Sequence, residues 1–240
     1  MAARARKKWV QLPLERARKA TGRGGWRPGS GRPRGRTTIP HDPRPRFTAS
    51  VPQHVTLRLV PGVRSIRKDR TVRVIRDAIL AGGHRDDFRV IHFSVLGNHL
   101  HLIVEAANER ALARGMQGLT IRFARRLNAV LARRGSLFAT RYHARSLKTP
   151  REVRNAIRYV LLNARHHAAD QGARLSKYWV DPYSSGPWFD GWRQPIRSDA
   201  PWLRQLQRTH CPTAAPRVWL LTDGWRKRGL IGFDELPTQE

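Results

Sequence analysis

The chain has 240 residues, with 47 Lys and Arg against 17 Asp and Glu, a formal net charge of +30. That length allows one domain with extensions or two small ones, and that charge points to a polyanionic partner, nucleic acid first. No run of about 18 apolar residues is available to span a bilayer, the N-terminus lacks the apolar stretch of a secretory signal, and the single Cys211 excludes an internal disulfide or a cysteine-held zinc.

Residues 1–47 are rich in Arg, Gly and Pro and read as a disordered basic arm, unable to bury enough surface to offset its ordering entropy. Within it Gly31-Arg32-Pro33, continued by Arg34 and Arg36, resembles an AT-hook, whose arginines enter the minor groove of A·T-rich DNA. A solvated, non-specific basic tail is the competing reading. Residues 54–60 alternate and are rich in β-branched side chains, which predicts a strand. Val72, Ile75, Ile79 and Leu80 recur with a helical period over 71–81, and Gly82-Gly83 ends that helix. Residues 88–105 read as two strands around the turn Leu96-Gly97-Asn98.

A long amphipathic helix is predicted over 108–134. Leu112, Met116, Leu119, Phe123, Leu127, Val130 and Leu131 form its apolar side, and Arg122, Arg125, Arg126, Arg133 and Arg134 its basic side. Gly135 is the expected C-cap. A fourth strand is expected over 137–147, carrying Arg141, Tyr142, His143 and Arg145. Thr149-Pro150-Arg151-Glu152 signals a helix start, with Thr as N-cap, Pro at the first position and an acid in the first turn. That helix runs to about residue 169 with Val153, Ile157, Val160 and Leu161 inward.

The first six elements match an α+β, ferredoxin-like βαββαβ arrangement with helices on one face of an antiparallel sheet. The additional last helix is then expected to cross the open face, within a domain over 48–173. Residues 174–240 hold six of the eight tryptophans, Trp179, Trp188, Trp192, Trp202, Trp219 and Trp225, with Pro and Gly between the apolar runs. They read as an extension pinned to the core by Trp anchors. Stacking of those rings on bases is the alternative.

In the strand after the turn, His99 and His101 are separated by one hydrophobic residue. Alternation puts both imidazoles on one face, roughly 6–7 Å apart along the strand, a usable spacing for two ligands of one metal ion. Taken alone, a surface or half-buried histidine pair is the better explanation of them. In the last helix Tyr159 and Asn163 are four residues apart and share a face. Asn163 can add an oxygen ligand and Tyr159 presents its hydroxyl beside it.

The order of Asn98-His99-Leu100-His101-Leu102-Ile103-Val104, an Arg-rich helix, a strand, then Arg158-Tyr159 with Asn163 resembles the single-tyrosine transposases of bacterial insertion sequences. The repeat-associated tyrosine transposases, within the HUH endonuclease superfamily, are the part it most resembles, over residues 50–168. The resemblance implies a bacterial cytoplasmic, DNA-associated enzyme with a ferredoxin-like catalytic domain. It further implies single-stranded DNA with a hairpin as partner, Mg²⁺ or Mn²⁺ as cofactor, and a monomer or homodimer. Carried over by residue, His99 and His101 become metal ligands, Asn163 the third ligand, and Tyr159 the nucleophile forming a 5′-phosphotyrosine. Arg122, Arg125, Arg126, Arg141 and Arg145 join Arg32, Arg34 and Arg36 as expected DNA contacts.

Tyr142, Tyr178 and Tyr183 are the other nucleophile candidates, and His166 and His167 read as charges favoured at a helix C-terminus. Two further function classes fit the same elements: a domesticated, non-catalytic DNA-binding protein, and an RNA-binding module, which would expose aromatics on its sheet.

Overall fold

A computed structural model describes residues 46–173, 175–176, 178–196 and 201–235. The basic arm, with Arg32, Arg34 and Arg36, lies outside the described residues except for its last two positions. Strands β1 (Gln53–Arg58), β2 (Phe88–Val95), β3 (His99–Ala106) and β4 (His143–Ser146) form one antiparallel sheet in the order β2-β3-β1-β4. This is the ferredoxin-like order that the succession of elements predicts.

Alternation divides the sheet into two chemically different faces. Val55 and Leu57 of β1 and Leu100, Leu102 and Val104 of β3 point to the first face. They are covered there by helices α1 (Asp69–Gly82) and α2 (Glu109–Val130) through Val72, Ile75, Ile79, Leu112, Met116 and Phe123. Asn108 caps α2 by accepting from the backbone N–H groups of Arg110 and Ala111. α2 lies so close to the sheet that a Cβ built on Gly115 would sit 2.1 Å from Phe88 Cγ. Gly115→Ala should therefore cost about 1–3 kcal/mol in a urea melt, although the same change on an exposed helix face gains about 1 kcal/mol.

Helix α3 (Pro150–Asp170) lies across the second face, and its start is the expected one: Thr149 and Glu152 form a reciprocal capping box behind Pro150. Its Val153, Ile157, Val160 and Leu161 pack with Ile91 and Ile103 of the sheet. A bulge in β2 between Val90 and His92 turns Ile91 toward this face. The other half of this second core comes from the C-terminal stretch, through Val180, Phe189, Trp192, Leu221, Trp225 and Phe233. That stretch also covers the β2 edge, with Tyr183 O accepting from Val95 N, and Ser185 N and Ala214 N donating to Phe93 O and Val90 O. Trp202 in helix α4 (Pro201–Arg208) and Trp219 remain exposed.

Two elements depart from their predicted extents. The fourth strand is four residues long, because Leu137 and Phe138 pack as loop anchors and only Leu59 and Phe138 form an isolated bridge before β4. α2 ends at Val130 rather than near 134. Ala132 N donates to Ala129 O and Arg133 N to Asn128 O, the paired bonds of a Schellman motif, with Ala132 left-handed at φ 49°. An alanine there pays a steric cost of about 1–2 kcal/mol that glycine avoids. Ala132→Gly should accordingly raise the unfolding free energy by about 1 kcal/mol, read from the urea midpoint. Among the described residues no helix is long and apolar enough to cross a membrane.

Candidate active site on the helix-covered sheet face

The second sheet face is polar where α3 crosses it. β1 presents His54, Thr56 and Arg58 on that side, and the β1–β3 register sets Thr56 opposite His101 and Arg58 opposite His99. β4 adds His143 opposite Thr56 and Arg145 opposite His54. The rings of His99 and His101 are perpendicular with centroids 4.8 Å apart. From α3, the Tyr159 ring meets His101 edge-on at 5.1 Å and His54 at 5.7 Å. His167, one turn beyond Asn163, has its ring 6.1 Å from that of His99. The structure thus brings His99, His101, Tyr159 and the buried Asn163 to one helix–sheet layer.

Burial sets the protonation of the pair. It pushes His99 down to about 4, helped by His167 and Arg58, and His101 down to about 2, helped by His54 and His99. Both imidazoles are neutral at pH 7, so each carries one ring hydrogen. His99 Nδ1 lies 2.6 Å from Asn98 Oδ1, an acceptor, which places the hydrogen on Nδ1 and the lone pair on Nε2. His101 Nδ1 is 3.2 Å from both His54 Nε2 and Thr56 Oγ1, whereas its Nε2 is buried without a partner. The Asn163 side-chain nitrogen is likewise buried and unpartnered.

Two imidazole nitrogens and an amide that can turn its oxygen inward fit a divalent cation that draws its other ligands from water and substrate. Among the described residues no group of three or more His, Cys, Asp and Glu side chains is placed to hold a metal ion. The donor set depends on Asn163 for that reason.

Neutral buried histidines also shape acid stability. His92, buried beside Phe189 with Nδ1 3.2 Å from Ser185 Oγ, is pushed by burial down to about 4. Between about 6.5 and 4 the unfolded chain binds protons that folded His92, His99 and His101 refuse, so stability falls as pH drops through that window. Urea midpoints measured from pH 7 to 4 should decline. His92→Phe should make the decline shallower.

The remaining expected residues are distributed unevenly. Arg122, Arg125 and Arg126 are exposed on α2, on the far side of the sheet from the histidines. Arg141 and Tyr142 line a cleft of about 380 Å³ with Gln117 and Thr120 of α2, so Tyr142 is turned away from the histidine face. Of the five described arginines expected to contact DNA, β4's exposed Arg145 is on the histidine face. Tyr183 donates its hydroxyl to Asp69 at 3.0 Å, and Tyr178 packs against the second core. An RNA-binding platform of exposed aromatics is not what this face offers among the described residues, since α3 covers it and its polar residues are His, Thr, Ser, Arg and Glu.

His54, Thr56 and His167 were not singled out from the sequence as site residues. Alternation over 54–58 places His54 and Thr56 on one strand face, but the pairing that brings them to His101 is tertiary. His166 and His167 are a helix-end pair in sequence, and both approach Asp170, His166 Nδ1 at 3.4 Å from Oδ1 and His167 Nδ1 at 4.0 Å from Oδ2, while the His167 ring also faces His99.

No model of a known protein family matches the chain, and no curated protein matches it. Among solved structures the chain is similar to a REP-associated tyrosine transposase bound to a REP hairpin, at 15% sequence identity and a TM-score of 0.47, covering 61% of this chain and 82% of that one. At that distance any functional reading must be carried by this chain's own side chains.

Proposed function

We propose that this protein is a metal-dependent endonuclease and strand transferase of single-stranded DNA, with Tyr159 as nucleophile. The observation that carries the reading is the contact of the Tyr159 ring with His101, beside two neutral imidazoles of which His101 keeps a buried Nε2 without a protein partner. A net charge of +30 supports a polyanionic substrate.

A free phenol has a pKa of about 10 and is a poor nucleophile at neutral pH. His99, His101 and Asn163 would hold Mg²⁺ or Mn²⁺, which polarises a scissile phosphate and offsets the charge developing on it. Tyr159 Oη then forms a bond to phosphorus and gives up its proton, while the bond from phosphorus to the 3′ oxygen breaks and that oxygen leaves as a hydroxyl. The product is a 5′-phosphotyrosine that keeps the energy of the broken bond, so a second 3′-hydroxyl can reverse the step and join strands. Arg58 and Arg145 flank the site on the same sheet face and would hold the strand's phosphates. The α2 arginines, beyond the sheet, would hold a different part of the DNA, such as a hairpin stem.

The test is incubation of the full chain with Mn²⁺ and labelled single-stranded oligonucleotides carrying hairpins. An SDS-resistant adduct that EDTA suppresses is expected. DNA binding without adduct across a broad set of sequences overturns the enzymatic reading in favour of a binding protein.

A further inference from the structure

We propose that His54 is a positioning residue that holds the His101 imidazole in the tautomer whose Nε2 lone pair faces the site. This rests on the reading of His101 as a metal ligand, and it concerns a residue to which that reading gives no role.

The placement follows from register. β1 and β3 pair Thr56 with His101 and His54 with Ile103, so His54 is the diagonal neighbour of His101, within reach of a long side chain. The two rings lie 5.2 Å apart at 34°, with His54 Nε2 3.2 Å from His101 Nδ1. His101 is 3% exposed, and a histidine that ligates a metal is neutral, so it has one hydrogen to place on either of two nitrogens. On Nε2 it would be a buried N–H without an acceptor, because Nε2 has no partner. On Nδ1 it is donated to the lone pair of His54 Nε2, and the bare Nε2 is left to a cation.

Thr56 Oγ1, at 3.2 Å from the same Nδ1, cannot make this choice by itself. A hydroxyl both donates and accepts, so it satisfies either tautomer. A ring nitrogen does one or the other: with its own hydrogen on Nδ1, His54 offers a Nε2 that only accepts, and in that form His54 is the selective partner. Outer groups of this kind fix the orientation and basicity of histidine ligands, and their loss costs 10–100-fold in metal affinity. His54 also touches the edge of the Tyr159 ring, so one side chain braces both the ligand and the nucleophile.

The experiment has two readouts on the full chain, neither of which needs DNA cleavage. Long-range ¹H–¹⁵N correlations of the metal-free protein report the tautomer of His101, and titration with Mn²⁺ alone, followed by EPR, reports affinity. The wild type should show His101 protonated at Nδ1. His54→Ala should mix the tautomers and weaken Mn²⁺ binding 10–100-fold. His54→Gln, whose Oε1 accepts from Nδ1, should recover most of both, and Thr56→Val should change affinity less than His54→Ala.

Recovery by His54→Gln also separates positioning from a folding defect. A wild-type His101 protonated at Nε2 overturns the proposal, as does a His54→Ala protein with unchanged tautomer and Mn²⁺ affinity within about twofold. If the wild type binds no Mn²⁺ yet loses the Nδ1 tautomer on His54→Ala, the metal site is overturned and the hold of His54 on His101 is upheld.

Discussion

Tyr159→Phe is expected to abolish the covalent protein–DNA adduct while leaving fold and DNA binding close to those of the wild type. The ring is half-buried and makes its contacts with His54 and His101 through its edges. Phenylalanine keeps that shape, so the melting temperature should move little. What disappears is the only atom on the residue that can bond to phosphorus. Removing a nucleophile outright typically lowers turnover by a factor on the order of 10⁴ or more, below detection in a gel assay. Binding of a hairpin oligonucleotide, which depends on phosphate contacts from Arg and Lys, should stay within about twofold. His101→Ala should also lose the adduct, but with a fall in Mn²⁺ affinity that Tyr159→Phe lacks. An adduct that survives Tyr159→Phe would overturn the assignment, and peptide mapping of the labelled residue would identify the true nucleophile.

Much of the architecture is legible in the sequence because the signals are local. Thr149, Pro150 and Glu152 make a helix start whose chemistry is complete within four residues, and the structure contains each of its bonds. Alternation around His99 and His101 predicts a shared face, and the register places both on it. The features that escape are of another kind. Ala132 ends α2 in a left-handed conformation that a search for glycine overlooks. The period of the α2 arginines shows that they share a side of the helix but not which side of the sheet the helix covers. His54 reaches His101 through a strand pairing that no local pattern encodes. The C-terminal stretch is broken by Pro and Gly and has no period. Its Trp192, Trp225 and Phe233 nevertheless complete the core on which α3 rests.

That dependence makes Glu105 the position with the largest expected effect on stability. Glu105 is the penultimate residue of the histidine strand, is 6% exposed, and pairs in register with Arg89 on β2. Its Oε2 lies 3.0 Å from Arg89 Nη2, and its Oε1 accepts from the backbone N–H groups of Arg217 and Val218 at 2.8 and 2.9 Å. Arg89 Nη2 in turn donates to Ala215 O at 2.6 Å. One buried ion pair thus ties the C-terminal stretch to the sheet, just ahead of the Leu220, Leu221 and Trp225 side chains that pack against α3. Glu105→Ala removes the acceptor for two backbone N–H groups and leaves a buried guanidinium without its counter-charge. Breaking one side of such a pair costs about 3–5 kcal/mol, enough to consume much of a typical domain's stability. Glu105→Gln keeps an acceptor for the amides but not the charge, so its cost should be smaller. Arg89→Met combined with Glu105→Ala should cost less than the sum of the single changes, because no charge is left stranded. Since α3 carries Tyr159 on the core that this tie secures, Glu105→Ala should also lower adduct yield. Unlike Tyr159→Phe, it should do so with a depressed melting temperature. A loss of less than about 1 kcal/mol in a urea melt would show that the pair contributes no more than an exposed one, and that packing around Trp225 holds the C-terminal stretch without it.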